Sequence, residues 1–203
     1  MTRISNRAAR EYRSELRVQQ ANDTRARILD ATVRVTARGI ATVSIPAVAR
    51  EAGVSVPTVY RHFGTKEELL AAVYPHVLRQ ASAHEPPFPR SLDELKDGVR
   101  AYADLIDSFD DLTRAAMASP ASAETRALSM PRRLGMLSDL VDSIEPHVAA
   151  ADRERLIRLM AVLLNSSALR MWRDHLGASV DQAADDIDWI VRAVVAASRR
   201  KKP

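Results

Sequence analysis

Residues 44–70 read SIPAVAREAGVSVPTVYRHFGTKEELL, and the order of capping residues and glycines in this stretch predicts three short helices. Ser44 and Ser55 each precede a proline by two positions, an arrangement typical of a helix N-terminus. A glycine then ends each of the first two helices, because glycine adopts the left-handed conformation at little cost. Thr65 and Glu68 form a capping box that starts the third helix. Two helices joined by a short glycine turn indicate a helix-turn-helix.

The second of these helices combines an apolar face with an outer row of polar side chains. Val59 and Phe63 are four residues apart, so they share one face and are expected to pack inward. The side chains left mostly outside can all donate hydrogen bonds; they are Thr58, Tyr60, Arg61 and His62. Such a helix suits the major groove of DNA, with its N-terminal end near base edges and its flanks near phosphates.

The same stretch resembles the DNA-binding domain of TetR-family transcriptional regulators. The positions that carry the resemblance are Val48, Ala49, Ala52, Gly53, Val54, Ser55, Thr58, Val59, Tyr60, His62, Phe63, Lys66, Glu67 and Leu69. Val48 is a minor departure, since isoleucine is usual there. The resemblance covers roughly residues 22–70, and the rest of the chain shares only a general helical character with the family.

The resemblance implies a set of DNA contacts and a homodimer that binds a palindromic operator in double-stranded DNA. The predicted DNA-binding residues are Ser44, Ser55, Val56, Pro57, Thr58, Tyr60, Arg61, His62 and Lys66. By the same resemblance, Tyr60, His62 and Lys66 mainly hold phosphate, whereas the base edges lie nearest to Val56, Pro57, Thr58 and Arg61. The role of Lys66 depends on the resemblance alone, because a single lysine is otherwise ordinary surface.

Composition excludes several other classes of protein. The 203 residues include no cysteine, so a disulfide scaffold and a thiolate zinc site are impossible. No apolar run approaches the roughly 18–20 residues that span a bilayer, and the N-terminus lacks an apolar signal core. The five histidines show no metal-ligand pair spacing, and no catalytic or phosphate-loop motif is present. We therefore expect a cytoplasmic protein that is not an enzyme and needs no metal or cofactor.

Charge and proline content divide the chain into three parts. Residues 1–66 hold 12 basic and 5 acidic residues, whereas residues 67–203 hold 18 and 21. The predicted parts are a basic flexible arm at 1–21, a helix-turn-helix domain with its linking helix at 22–83, and a ligand-binding and dimerisation domain at 84–203. The arm reaches phosphates or the minor groove, or is a plain solvated tail; the sequence leaves both readings open.

The fold class predicted is all-α, a three-helix head followed by a larger helical body, with about nine helices in total. The first full helix is expected to start at Asn22 or Asp23. In the body, Pro131 either starts a helix after Ser129 or kinks one. The last two helices, about 151–176 and 180–198, carry more apolar surface than one subunit can cover, which favours a homodimer through them.

Family members commonly hold a small apolar ligand in the body and release DNA when it binds. The candidate lining residues for an unknown effector are Tyr102, Phe109, Met117, Met130, Met136, Met160, Asn165 and Met171. A methionine or aromatic residue at helical spacing is, however, more often plain core than part of a ligand pocket. Asn165 lies among apolar residues and needs a partner if buried: a ligand, a neighbouring side chain or the dimer mate.

Two functions are therefore kept open at this stage. The first is a ligand-responsive, dimeric DNA-binding regulator, in most family members a repressor. The alternative is a helical module that binds a small molecule or a partner without acting through DNA. The basic N-terminal third favours the first, and a steep salt dependence of binding to duplex DNA distinguishes the two.

Overall fold

The computed structural model describes residues 2–39, 42–81 and 83–200, so Met1, Ile40, Ala41, Ser82 and residues 201–203 of the predicted regions lie outside it. The described part is helical and contains no strand, which confirms the predicted all-α class. Its ten α-helices are α1 Thr2–Ala37, α2 Ile45–Ala52, α3 Val56–Phe63, α4 Lys66–Gln80, α5 Leu95–Ser108, α6 Asp111–Ala118, α7 Ser122–Ile144, α8 Ala150–Leu163, α9 Ser166–Arg170 and α10 Val180–Arg200. A π-helical turn, Met171–His175, follows α9.

The helix-turn-helix has a capped start and a glycine stop at each helix, as the sequence predicts. Ser44 Oγ accepts a hydrogen bond from the amide of Ala47, and Ser55 Oγ accepts one from the amide of Thr58, each at 3.3 Å. Gly53 follows α2 with φ of 66°, in the left-handed region. These bonds satisfy amides that a helix leaves without a partner in its first turn, so the chain enters and leaves each helix at a fixed residue.

The first helix is much longer than the sequence suggested. We expected it to start at Asn22 or Asp23, but α1 is continuous from Thr2, and the Asp23 carboxylate accepts a hydrogen bond from Gln19 Nε2 at 2.9 Å within it. The N-terminal stretch lacks glycine and proline and is rich in arginine, alanine, glutamate and glutamine, which are strong helix formers. A helix stabilised by tertiary packing farther along therefore propagates back through these residues.

The chain forms two compact units, and their boundary differs from the predicted one near residue 84. The head unit comprises Met1–Val77 and Asp111–Thr125, and the body unit comprises Leu78–Asp110 and Arg126–Pro203. Helix α6 joins the head because it packs against α1, and Ala121 just after it is fully buried in the head core. The proline-rich segment between α4 and α5 breaks the helix, as expected, but it does not mark where the head ends.

The head core is built around one face of each helix from α1 to α4. Its fully or nearly fully buried members are Ile28, Leu29, Ala31, Val35, Val43, Ile45, Val48, Ala49, Ala52, Val59, Phe63, Leu69, Leu70 and Ala121. The two short helices α2 and α3 have too few residues to be stable alone, so packing on this core holds them in place.

The body core brings together α5, α7, α8 and α10. Its buried members are Leu95, Val99, Leu137, Leu140, Val141, Leu156, Met160, Leu164, Ala184, Ile187, Val191 and Val195. Helix α7 passes through Pro131 and begins at Ser122, so the alternative of a start after Ser129 was wrong.

The predicted single helix at 151–176 was also wrong, because the chain breaks between Leu163 and Ser166. Helix α8 ends at Leu163, and Asn165 starts α9 from an extended backbone with φ of −139° and ψ of 162°. Apolar periodicity alone could not reveal this break, since apolar residues continue on both sides of it. With the split, the described residues form ten α-helices rather than about nine.

Candidate functional site

Helix α3 buries one face in the head and leaves the opposite face to solvent. Val59 and Phe63 are 1% and 3% exposed, which confirms the predicted inner face, while Tyr60 is 46% exposed and Arg61 is also exposed. The ion pairs in the described part of the head involve Arg34, Arg38, Lys66, His76 and Arg114, and none involves Arg61. The α3 surface therefore presents a phenol and an uncompensated guanidinium side by side.

The N-terminal end of α3 is organised by two hydroxyls. Ser55 Oγ and Thr58 Oγ1 are 2.9 Å apart and share a hydrogen bond, in addition to the capping bond at the Thr58 amide. Pro57 beside them is exposed, and Val56 is half-buried against the head core. Ser44, at the start of α2, is exposed as well. Three of the predicted base-edge residues thus share one end of α3, on a backbone fixed by the cap.

Arg25 of α1, which the sequence reading did not select, fixes the C-terminal end of α3. Its Nη1 donates to the carbonyl oxygen of His62 at 2.9 Å, and its guanidinium carbon lies 4.1 Å from the centre of the Phe63 ring. A cation over an aromatic face is attractive, and the hydrogen bond uses a carbonyl that the helix end leaves free. A signal was present, because Arg25 precedes Ile28 by three residues and so continues the inner stripe of α1.

The imidazole of His62 is favoured in its neutral form. Burial lowers the pKa of His62, and the positive charges of Arg61 and Arg25 lower it further. A neutral imidazole carries one N–H donor, so His62 offers a phosphate a hydrogen bond rather than a full charge. The cationic part of the α3 surface is therefore Arg61.

Lys66, the predicted phosphate contact at the start of α4, is paired within the head. Its Nζ lies 2.7 Å from Oε2 of Glu124, in the first turn of α7, and both side chains are about one-third exposed or less. No local pattern indicates this pair, because the two residues are far apart in the sequence and belong to different predicted domains.

Three further pairs of oppositely polar side chains hold α2 and α4 against α1. Arg34 Nε lies 2.8 Å from a Glu51 carboxylate oxygen, Arg38 binds the other oxygen, and the two guanidinium groups lower the pKa of Glu51. His76 Nε2 lies 2.6 Å from Asp30 Oδ1. Acidic partners on α1 and α2 therefore compensate these basic residues, unlike Arg61.

The residues predicted to line a ligand pocket occupy very different environments. Met160 and Phe109 are fully buried, Met130 and Met171 are exposed, and the half-buried members are Tyr102, Met117, Met136 and Asn165. Met117 belongs to the head unit and the other seven to the body unit.

Asn165 is occupied by its own helix ends. Its Oδ1 accepts from the amides of Ser167 and Ala168 at 2.8 and 3.0 Å, and its Nδ2 donates to the carbonyls of Ala161 and Val162 at 3.0 and 2.6 Å. An amide side chain has two donor hydrogens and two acceptor sites, and four bonds use them all. The partner that the sequence required is therefore backbone, and the amide joins the end of α8 to the start of α9.

The body contains a small cleft elsewhere, with a cavity volume of about 20 Å³. It is lined by Ala103, Ile106, Leu169, Arg170, Arg173, Ala178, Ser179, Val180 and Ala183, none of which the sequence reading selected. A volume of this size is close to that of a single water molecule. An effector could enter this cleft only if the surrounding helices moved apart.

Large apolar side chains of the body lie open to solvent near its last helices. Val162 of α8 is 65% exposed and Trp189 of α10 is 72% exposed; Leu159, Met171 and Leu176 are also exposed. Isolated exposed apolar residues are common, but these five come from the two segments predicted to form a homodimer.

In the described residues, histidine and acidic side chains form no group of three or more that could hold a metal ion. None of the described helices combines the length and apolar character needed to cross a membrane.

The head is thus a helix-turn-helix domain of the kind that binds duplex DNA. Residues 28–73 match the family described as bacterial regulatory proteins, tetR family. The match covers the helix-turn-helix and the residues next to it, as the residues of α2 and α3 indicated.

Two curated regulators from Pseudomonas putida are similar to a part of the chain. The HTH-type transcriptional regulator SrpR is 44% identical over 55 residues, which are 27% of this chain and 26% of SrpR. The uncharacterized HTH-type transcriptional regulator TtgW is also 44% identical over 55 residues, 27% of this chain and 41% of TtgW. The similarity thus spans between a quarter and two fifths of these relatives.

A solved structure extends the similarity of fold to most of the chain. The crystal structure of a tetR-family transcriptional regulator from Streptomyces coelicolor aligns with a TM-score of 0.55 at 22% identity, over 89% of this chain and 84% of the other. At this identity the alignment supports the helical fold of the body and carries no information on what the body binds.

Proposed function

We propose that this protein is a sequence-specific DNA-binding transcriptional regulator that reads duplex DNA with α3. The observation that carries the proposal is the α3 surface, where Tyr60 and the uncompensated guanidinium of Arg61 project from a helix fixed by Val59 and Phe63. The excess of basic residues in the first third of the chain adds a general attraction for a polyanion.

The side chains have two proposed roles on DNA. Tyr60, His62 and Lys66 hold phosphates and set the position of the head, whereas Arg61 and Thr58, with Val56 and Pro57, meet base edges in the major groove. Ser44 and Ser55 lie at the ends of helices that approach the backbone. Residues 1–21 are proposed as an arm near the DNA, and its contact with DNA is a separate question from that of α3.

The protein acts as a homodimer in this proposal, through the segments about 151–176 and 180–198. Exposed apolar side chains such as Val162 and Trp189 in these segments support an interface, because a second copy would remove them from water. A two-fold dimer presents two recognition helices to half-sites about 34–36 Å apart, and its operator is therefore palindromic.

Regulation is assigned to the body, residues 84–203. A small, largely apolar effector that favours one conformation of the body would release the operator, and the protein would then act as a repressor in the cytoplasm. The apolar character of the body and the adaptable methionines within it support this part. The cleft beside Arg170 is too small for such an effector in the conformation described, so effector binding requires an opening of the body.

Selection of bound sequences from a random duplex library tests the proposal directly. The expected result is a palindrome with two half-sites about one helical turn apart, and retention that falls steeply as salt rises. Retention without enrichment of any sequence would contradict sequence-specific binding. Failure to retain duplex DNA at low salt would favour the alternative, a helical module that binds a small molecule or partner and does not act through DNA.

A further inference from the structure

The Lys66–Glu124 pair places a carboxylate where the proposed function places a DNA phosphate. The Lys66 ammonium and Glu124 Oε2 are 2.7 Å apart, and the side chains are 29% and 31% exposed. An ammonium group at this distance from a carboxylate is already neutralised. It therefore attracts a phosphate less than the uncompensated guanidinium of Arg61 does.

The position of Glu124 is fixed by the part of the head that surrounds it. Ala121 is fully buried in the head core, and Ser122 Oγ donates to the carbonyl of Ser119 at 2.7 Å. These contacts hold the first turn of α7, and the positive end of that helix favours a carboxylate there. Glu124 thus stays beside Lys66 unless α7 itself shifts or the side chain turns away.

The carboxylate is also dependent on Lys66. Oε2 of Glu124 is withdrawn from solvent and accepts no hydrogen bond from the described residues, so the nearby ammonium is what compensates its charge. If Lys66 moved to a phosphate, this oxygen would lose its compensation, which carries a cost for a buried polar atom. DNA binding through Lys66 and the pairing of Glu124 therefore oppose each other.

We propose that Glu124 competes with DNA phosphate for Lys66 and so lowers the affinity of the head for DNA. The inference rests on the proposed function, in which Lys66 is a phosphate contact. Glu124 is then a residue that sets operator affinity without touching DNA. A change in the first turn of α7 that separates the pair would make the head bind more tightly.

The test compares Glu124→Gln with Asp111→Asn in the full chain. Both changes remove one negative charge from the same 111–125 segment of the head, but Asp111 is open to solvent and pairs with Arg114 rather than with Lys66. Binding to a fluorescent duplex is measured by anisotropy, with the selected operator or a random duplex as the probe and at several salt concentrations.

Glu124→Gln is expected to bind about two- to five-fold more tightly per head than Asp111→Asn, the range of a partly exposed ion pair. The DNA affinity of Glu124→Gln should also fall more steeply with salt. The slope of the logarithm of affinity against the logarithm of salt concentration should steepen by up to about 0.9 per head, as for one added phosphate contact. In a Lys66→Gln background, Glu124→Gln and Asp111→Asn should have the same effect on DNA affinity, because the ammonium for which Glu124 competes is absent.

Several outcomes would overturn the inference. Glu124→Gln and Asp111→Asn could bind DNA with equal affinity, or the gain in affinity of Glu124→Gln could persist in the Lys66→Gln background. Either result would show that Glu124 acts only through its general negative charge and not through Lys66. Weaker binding by Glu124→Gln would show that the carboxylate positions Lys66 for DNA instead of withholding it. If Glu124→Gln unfolds, Glu124→Asp keeps the charge but shortens its reach, and it should show part of the same gain.

The proposed function and this inference fail in different ways. If the wild-type chain shows no salt-dependent binding to any duplex, the proposed function is wrong. If the wild type binds DNA but the variants show no coupling between Lys66 and Glu124, only the inference is wrong.

Discussion

The head and the body use their basic residues differently. In the body, Arg100 Nε lies 2.7 Å from Asp181 and Lys96 Nζ lies 2.7 Å from Asp185, and both pairs join α5 to α10. Arg192 binds Asp188 in its own helix as well as Asp93. In the head, Arg61 has no such partner in the described residues, and the neighbouring His62 has a lowered pKa.

This difference helps to explain why the net charge of +4 is unevenly distributed over the chain. Several acidic residues of the body pair with arginines or lysines of another helix, so part of the body's charge cancels locally. The head also pairs Arg34 and Arg38 with Glu51, but on the packing side of α1. Arg61 on α3 is among the head arginines that form no ion pair in the described residues, so the placement of acidic residues affects where positive charge stays uncompensated.

The largest effect is expected from Phe63→Ala, which tests whether the α3 surface depends on the head core. Removal of a fully buried ring costs about 3–5 kcal/mol of unfolding free energy. Arg25 also loses its aromatic contact. Urea unfolding and hydrogen exchange of head and body peptides measure the loss, and DNA binding should disappear with it. Trp189→Ala, at an exposed ring of the body, is the control; equal head destabilisation by both would contradict the separation of the two cores.

Next in size is the effect of Arg61→Ala on operator binding. The loss of a side chain that reads a base should cost about 1–3 kcal/mol and relax preference at one position of each half-site. Anisotropy titrations with a set of operator variants measure both. Tyr60→Ala should instead weaken binding to all variants alike, as expected of a phosphate contact.

The body supplies the matched control for that experiment. Arg100→Ala removes a partly exposed guanidinium that two aspartates hold, so DNA affinity should stay unchanged and the unfolding free energy should change little. A uniform loss of affinity in Arg61→Ala would reassign Arg61 to phosphate. A loss of affinity in Arg100→Ala would remove the contrast between the two regions.

Asn165→Ala should have a moderate effect that is confined to the body. The change removes the cap of α9 and the two bonds to the end of α8, and the loss of such a cap costs about 0.5–2 kcal/mol. Chemical denaturation gives the size, and DNA affinity of the folded variant should match wild type. If Asn165→Ala alters the response to an effector but not the stability, the capping role is insufficient.

The smallest effect is the pH dependence that His62 adds to head stability. Because the folded head lowers the pKa of His62 from its ordinary value of 6.5, this contribution is complete above pH 6.5. It is lost as the pH falls through the lowered value. Melting temperatures at about pH 8 and about pH 5 should therefore differ less in His62→Gln than in wild type. The exposed His84→Gln variant should keep the wild-type difference; if it does not, the effect does not belong to His62.

Local chemistry was sufficient to predict the head, and long-range contacts were not predictable. The caps at Ser44 and Ser55 and the glycine stops determine α2 and α3 within a few residues, so their bounds and inner faces were correct. The Lys66–Glu124 pair and the membership of α6 in the head arise from tertiary packing. No spacing in the sequence encodes them.

In the body, the apolar periodicity located the helices but hid the break between α8 and α9. Leucine and methionine continue through the break at Asn165, so the apolar pattern reads as one helix. Asn165 is a polar residue in this apolar run, and the sequence left its partner open between a ligand, a side chain and a dimer mate. The sequence alone does not distinguish an amide that caps a helix from one that binds any of these. At the N-terminus, intrinsic helix propensity was underestimated where no apolar face indicated packing.

The contact that Arg25 makes beneath α3 has a consequence for how this protein can diverge. Its hydrogen bond is to the carbonyl oxygen of residue 62, a group that every amino acid supplies. Side chains at 61 and 62 can therefore change over generations while Arg25 still holds the end of α3 in place. Under the proposed function, inherited variation should be tolerated at these outer positions and resisted at Arg25, so that other DNA sequences become accessible without a new fold.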